Sequence, residues 1–429
     1  MKRTIGVWGV VSTLIGYVIG ASIFILPGAL AGSAGPAVVI SYSLAAVIAV
    51  FSCLAAAQLG TVFPRTGAGY ITVAKLVSPM AGFIGIWLML AAYILAIALI
   101  AIGFSEYFVA MFPSVDPQLA IYGVVLVFVI LNMMNVDLLV GIQGALVIFF
   151  MVALLIVSAG GITSINTDNL SPFLPLGWDP VLLAVVPAFF SYGGFMAVME
   201  MAGEIKNPQR TIPISMMISF VLVLIMYITL ALVLVGMVPW QELATLKAPV
   251  RVIAGQLFPG WGATLVGVAV LGAAATSINA LMLVASRDVI ALARSGKLPS
   301  ILDCKQGAKP ISSVTFVGFF AIGALLLGET VTEYAIWVSS STLMFQMLIA
   351  LALIAVPEKA EEVYQNSSFK LGLKGIKYCG YGLFAISGFF LFLVLSDTNN
   401  TLIAALGYIA VGLILYKVRI GKGKDLEIN

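Results

Sequence analysis

Three short stretches of this 429-residue chain interrupt apolar runs with residues that can hold a small ligand. The first is Gly16-Tyr17-Val18-Ile19-Gly20-Ala21-Ser22-Ile23-Phe24, followed by Leu26 and Pro27. Glycine weakens a helix and buries no side chain, so two glycines four apart predict a break. A break at membrane depth frees backbone amides and carbonyls, and such backbone is tolerated only where it lines a cavity or a ligand. The second stretch, from Pro187 through Phe190, Ser191, Tyr192, Gly193 and Gly194 to Phe195, has the same make-up. Half-helix ends carry positive poles at their amides and negative poles at their carbonyls, which suits a ligand bearing both charges. An amino acid is such a ligand. The third stretch, Ala273 to Asn279, sets Thr276 and Ser277 inside an apolar helix. Their hydroxyls either back-bond to their own helix or complete an oxygen cage for a sodium ion. Gly16, Gly20 and Ala21 also have the small-residue spacing of closely packed helices, and that reading stands beside the break.

The elements that must position these stretches follow from composition. Hydrophobic residues make up 62% of the chain and charged ones 9%, with mean hydropathy +1.15, which predicts an all-α integral membrane protein and excludes a soluble domain. Apolar runs of ~20 residues recur about twelve times. They fall at 7–31, 36–62, 80–110, 118–135, 138–163, 181–203, 212–238, 261–293, 312–328, 332–356, 377–396 and 399–418. The breaks lie in the first and sixth runs, with about five runs in each half, the layout of transporters built from inverted repeats.

With the first run starting inside, all 21 Lys and Arg except Lys247 and Arg251 fall on the inner side. That places both termini in the cytoplasm and the protein in the cell membrane. Met1-Lys2-Arg3 and the run after it also fit a signal peptide cut near Ala29-Leu30-Ala31, but the run is too long and holds the break. Cys53, Cys304 and Cys379 are expected within a helix or on the inner side, away from a disulfide framework. With no histidine and no Gly-x-Ser-x-Gly elbow, no nucleophile with its base and no zinc site is apparent, so the chain is not expected to be an enzyme.

Between the second and third runs, Gly67-x-Gly69 lacks a preceding strand and reads as a turn rather than a phosphate loop. Tyr93 is either a core residue or a hydroxyl facing the cavity. Few carboxylates lie deep in the runs, which favours a neutral substrate over one whose extra ammonium would go unpaired. Glu106 and Glu200 are the exceptions. If either faces the cavity, a cationic substrate becomes tenable.

Gly16 to Phe24 with Leu26-Pro27-Gly28, then Pro64-Arg-Thr-Gly67-Ala-Gly69-Tyr70, then Gly203-Glu204-Ile-Lys-Asn207-Pro208-Gln-Arg210-Thr-Ile-Pro213, resemble successive signatures of bacterial amino acid permeases of the amino acid/polyamine/organocation (APC) superfamily. The resemblance implies a single transporter domain with a first repeat over 1–163, an inverted second repeat over 181–356 and two further helices over 377–418. It implies alternating access around the first and sixth helix breaks. The substrate carboxylate would meet the amides of Gly20, Ala21 and Ser22. The ammonium would meet carbonyls near Tyr17, Val18, Ile19, Phe190, Ser191 and Gly193, with Phe190 as the outer gate. A buried lysine of some proton-coupled relatives is matched, counting from Gly141, by Met151, and a glutamate of some arginine exchangers by Met196. Ala273, Thr276 and Ser277 with Gly16 and Ile19 resemble the sodium site of sodium-coupled transporters of this fold.

The expected activity is therefore secondary transport of small, neutral amino acids coupled to sodium or protons. An exchanger, or a cationic amino acid or polyamine transporter of the same fold, is the alternative. The expected partners are the amino acid and the lipid bilayer, with no nucleic acid, no obligate protein partner and no cofactor beyond sodium as a candidate coupling ion.

Overall fold

The structure is a computed structural model and describes residues 3–64, 68–134, 143–304, 309–397 and 399–418. Lys2, Arg65, Gly67, Gly141, Lys305 and the basic tail from Arg419 lie outside the described residues.

The described chain is helical. The first half holds α1 (Val7–Ile19), α2 (Ser22–Ala34), α3 (Val38–Val62), α4 (Ala68–Leu76), α5 (Pro79–Met111), α6 (Pro117–Met133) and α7 (Gln143–Ile162). Then come α8 (Trp178–Leu183), α9 (Val185–Phe190), α10 (Ala197–Met201), α11 (Pro208–Met237), α12 (Trp240–Leu243), α13 (Pro249–Leu257) and α14 (Gly262–Arg294). The last elements are α15 (Ile311–Leu325), α16 (Val331–Lys359), α17 (Glu361–Gln365), α18 (Gly372–Asp397) and α19 (Asn399–Lys417).

Among the described residues seven continuous apolar stretches are long enough to cross a membrane, and a bent pair, 178–190 with 193–204, makes an eighth. Residues 117–133, 311–325 and 402–417 form shorter apolar helices. The protein is thus an all-α, multi-pass membrane protein.

Local sequence sets the helix starts. The Ser78 hydroxyl accepts from the Ala81 amide ahead of Pro79, and the Asp116 carboxylate accepts from the Gln118 and Leu119 amides ahead of Pro117. Thr330 and Glu333 form a reciprocal capping box that opens α16. Three short helices lie outside the apolar runs of the sequence. The stretch after Gly67 is a helix, α4, rather than a turn, and α12 and α13 fill the connection after α11. Their polar and small residues raise no hydropathy peak, so neighbours rather than apolar length specify them.

Two sets of helices pack closely. In the first, α11 packs against α3 and α1, and α3 against α9. In the second, α14, α15 and α16 surround α5, and α9 joins the two sets by packing against α16 as well. Near Glu204 the first set is tied by backbone pairing. The Thr4 and Ile5 amides donate to the Glu204 carbonyl at 2.9 and 3.1 Å, and the Lys206 amide donates to the Ile5 carbonyl at 2.8 Å.

Candidate substrate site

The first break lies between α1 and α2. α1 stops at Ile19, Gly20 adopts φ 39° and ψ −138°, and α2 starts at Ser22. Glycine at 20 meets two demands. Its positive φ is strained for other residues, and a Cβ there would lie 2.5 Å from Ser277 Oγ on α14. The first amides of α2 have no carbonyl one turn earlier, so they form a positive pole facing the break. The Ile19 carbonyl accepts from Ser22 Oγ at 3.0 Å. The Val18 carbonyl accepts from the Tyr227 hydroxyl at 2.9 Å.

The second break follows α9. The Ser191 and Tyr192 amides reach back to the Ala188 and Phe189 carbonyls, a tight turn runs through Gly193–Met196, and α10 resumes at Ala197. The two halves are bent by 41°.

The breaks meet backbone to backbone at Gly194, where a Cβ would sit 2.6 Å from the Tyr17 carbonyl carbon and oxygen and 2.7 Å from the Val18 amide nitrogen. Tyr17 to Ser22 and Phe190 to Gly193 are thereby brought to one locus. Gly193 faces open space, with nothing within 4 Å of the place a Cβ would take. Phe190 packs against the cluster of Ala92 and Ala96 on α5 and Val338 on α16, bridging to the second set of helices.

The hydroxyl pair on α14 splits. Thr276 Oγ1 donates to its own helix at the Ala273 carbonyl, 2.9 Å away. Ser277 Oγ is buried with no hydrogen-bond partner, and it and the Gly16 carbonyl both lie beside Gly20. An orphaned hydroxyl next to backbone carbonyls is a donor set that fits a hard cation.

Beside the second break, on the α10 side, lies a cavity of about 20 Å³, lined by Tyr70, Tyr93, Met196, Glu200 and Asp288 among others. Met196 closes the turn of the break, and Glu200 follows on α10. Tyr93, left open by the sequence, lines this cavity, whereas Glu106 does not. Glycine at 69 makes room for the carboxylate, since a Cβ there would come 3.0 Å from Glu200 Oε1. Among the described residues the only ion pair is Arg294 with Asp303, so neither Glu200 nor Asp288 has a Lys or Arg nitrogen within 4.0 Å.

Sequence reasoning missed Gly194, Tyr227 and Asp288 as site residues. The sequence reading assigned Asp288 no role. Its spacing was the available sign, since three helical turns take about eleven residues and so put it on the Ser277 face.

Two interrupted apolar helices whose amide and carbonyl ends meet are the arrangement of a membrane transporter. A family model described as amino acid permease matches residues 5–415, and the chain belongs to that family, within the APC superfamily.

Among its relatives, the branched-chain amino acid permease BcaP of Bacillus subtilis (strain 168) is 29% identical over 442 residues, covering 97% of this chain and 92% of its own. The methylthioribose transporter of the same organism is 25% identical over 444 residues, covering 97% and 93%. The chloroplastic cationic amino acid transporter 9 of Arabidopsis thaliana is 29% identical over 324 residues, covering 70% and 57%.

Proposed function

We propose that this permease carries small neutral amino acids across the cell membrane by alternating access, with the zwitterionic end of the substrate held between the two breaks. The observation that carries the reading is the contact of Gly194 with the Tyr17–Val18 backbone, which sets the amide end of α2 near the carbonyl ends of α1 and α9. The carboxylate takes the amides of Gly20, Ala21 and Ser22, and the ammonium takes carbonyl oxygens, which keep a second lone pair where one is already engaged. Phe190 closes above the ligand, and α1, α3, α9 and α11 rock as a group against α5, α14, α15 and α16.

The proposed topology has twelve crossings with both termini in the cytoplasm. It consists of a first repeat over 1–163, an inverted second repeat over 181–356 and two further helices over 377–418. The names of the three relatives span three substrate chemistries, so the neutral assignment rests on the scarcity of carboxylates at the breaks themselves.

Gly20→Leu tests the site. Substrate that raises the unfolding temperature of the wild type is expected to leave the variant's unchanged, while the substrate-free variant stays folded. Undiminished protection would put the ligand elsewhere.

Coupling to sodium or to protons, as opposed to exchange, is decided by uptake into proteoliposomes. Sodium would be held by Gly16, Ile19, Ala273, Thr276 and Ser277, a set supported by the orphaned Ser277 hydroxyl. An inward sodium gradient is expected to stimulate uptake, and Thr276→Ala with Ser277→Ala is expected to remove the stimulation. Stimulation that survives both changes rules out this set.

A second reading is favoured by the cavity. Glu200 and Asp288 there have no cationic partner, and an amino acid with a cationic side chain would supply one.

A further inference from the structure

Tyr227 lies in the middle of α11 and is fully buried. Its hydroxyl is 2.9 Å from the Val18 carbonyl, 2.7 Å from the Ser191 carbonyl and 3.4 Å from Ser22 Oγ. Val18 is in the last turn of α1 and Ser191 caps the end of α9. Both carbonyls therefore belong to the set that a helix end leaves without amide partners.

A phenol has one proton, so it cannot give both carbonyls a full hydrogen bond at once and at best shares a weakened one between them. Ser22 offers no second donor, because its hydroxyl donates to the Ile19 carbonyl. Nor can the phenol swing away. The Tyr192 ring meets its ring edge-on at 5.0 Å, and the Tyr42 ring lies at 5.8 Å on a tilt. The negative poles of both half-helices thus converge on a single hydroxyl, with one acceptor more than it can fully serve.

We propose that Tyr227 is a positioning residue for transport: its hydroxyl ties the two helix breaks together and leaves one of their carbonyls to accept from the ammonium of the bound amino acid. This rests on the breaks being the substrate site. Substrate completes a hydrogen-bond set that the empty protein leaves one donor short, so binding and the registry of the breaks depend on the same hydroxyl. A carbonyl deprived of its donor is expensive only where water cannot reach it, and both of these lie at membrane depth.

The test compares Tyr227→Phe with Tyr42→Phe in proteoliposomes. The Tyr42 hydroxyl stands in the same aromatic cluster but bonds neither the Val18 nor the Ser191 carbonyl, facing the Ser191 side chain instead, so its removal is the matched control. Tyr227→Phe is expected to raise KM for the amino acid about tenfold, the weight of one or two buried hydrogen bonds, and to leave Vmax within about twofold. Tyr42→Phe should change neither.

Amide hydrogen exchange in the substrate-free proteins gives a readout independent of uptake. Exchange should quicken at both 16–22 and 190–195 in Tyr227→Phe and at neither in Tyr42→Phe. Placing 3-fluorotyrosine at 227, which keeps the ring and strengthens the donor, should slow exchange at both breaks and covers the case in which Tyr227→Phe fails to fold. A loss of Vmax at unchanged KM, or an exchange change at one break or none, overturns the proposal. If the wild type takes up no amino acid, the substrate reading fails by itself, and the exchange measurement still decides whether Tyr227 ties the breaks.

Discussion

Gly194→Ala is expected to abolish uptake, with a loss of about a hundredfold or more, while costing the substrate-free protein only about 1–3 kcal/mol of stability. The new methyl would meet the Tyr17 carbonyl carbon and oxygen at 2.6 Å and the Val18 nitrogen at 2.7 Å. A flexible side chain in that place could turn aside, but backbone cannot. The two breaks must therefore move apart by several tenths of an ångström to restore contact distance.

In the proposed site that displacement acts on the ligand contacts directly, because the ammonium takes carbonyls from both breaks and their spacing must match a rigid zwitterion. Catalytic geometries lose about a hundredfold for a misplacement of 1 Å, and a two-ended binding site obeys the same constraint. Gly193→Ala is the control, since a Cβ there enters open space. It should retain most of the uptake. The measurement is initial uptake rate in proteoliposomes together with the unfolding temperature with and without substrate. Equal uptake by Gly194→Ala and the wild type would mean that the spacing of the breaks does not set the site.

The breaks themselves were legible in the sequence because their cause is local: glycines and small residues inside runs otherwise apolar enough to cross a bilayer. The long helices were legible for the same reason, with predicted ends within a few residues of α3, α5 and α16. What places the breaks relative to each other was not legible. Gly194 touches Tyr17 across most of half the chain, and Tyr227 reaches Val18 over 209 positions and Ser191 over 36. Nothing in a tyrosine within an apolar helix distinguishes a cap for distant carbonyls from ordinary core packing. The place of Asp288 was not legible for a different reason: it lies inside the eighth apolar run, and that its face of α14 meets residues of α5 and α10 around the cavity is set by tertiary packing.

On the second reading, a cationic substrate, replacing Glu200 by Gln and Asp288 by Asn together is expected to remove competition by lysine and arginine while leaving competition by neutral amino acids intact. Both carboxylates line the cavity beside the second break, with Met196 between the break and Glu200. Leaving a charge buried without its partner costs about 3–5 kcal/mol, and none of the described Lys or Arg residues pairs with either group. A ligand whose side chain ends in an ammonium or guanidinium relieves that cost on its way through the cavity, and tyrosines at 70 and 93 offer ring faces or hydroxyls to the same cation.

The neutral variants keep the size and shape of both side chains while removing the charge and turning one acceptor oxygen of each into an N–H donor, so the neutral competitor serves as the control for the altered hydrogen bonding. Uptake of a labelled neutral amino acid is measured against unlabelled lysine, arginine and a neutral competitor. In the wild type lysine should compete, and in the double variant its potency should fall by about tenfold or more, since each tenfold corresponds to about 1.4 kcal/mol of lost pairing. The neutral competitor should be unchanged in both. Lysine that competes equally poorly with wild type and variant would dismiss the cationic reading and leave neutral amino acids as the substrate class. A drop in all competitors together would make the pair a structural support of the cavity, because charge selectivity demands that the loss follow the ligand's charge.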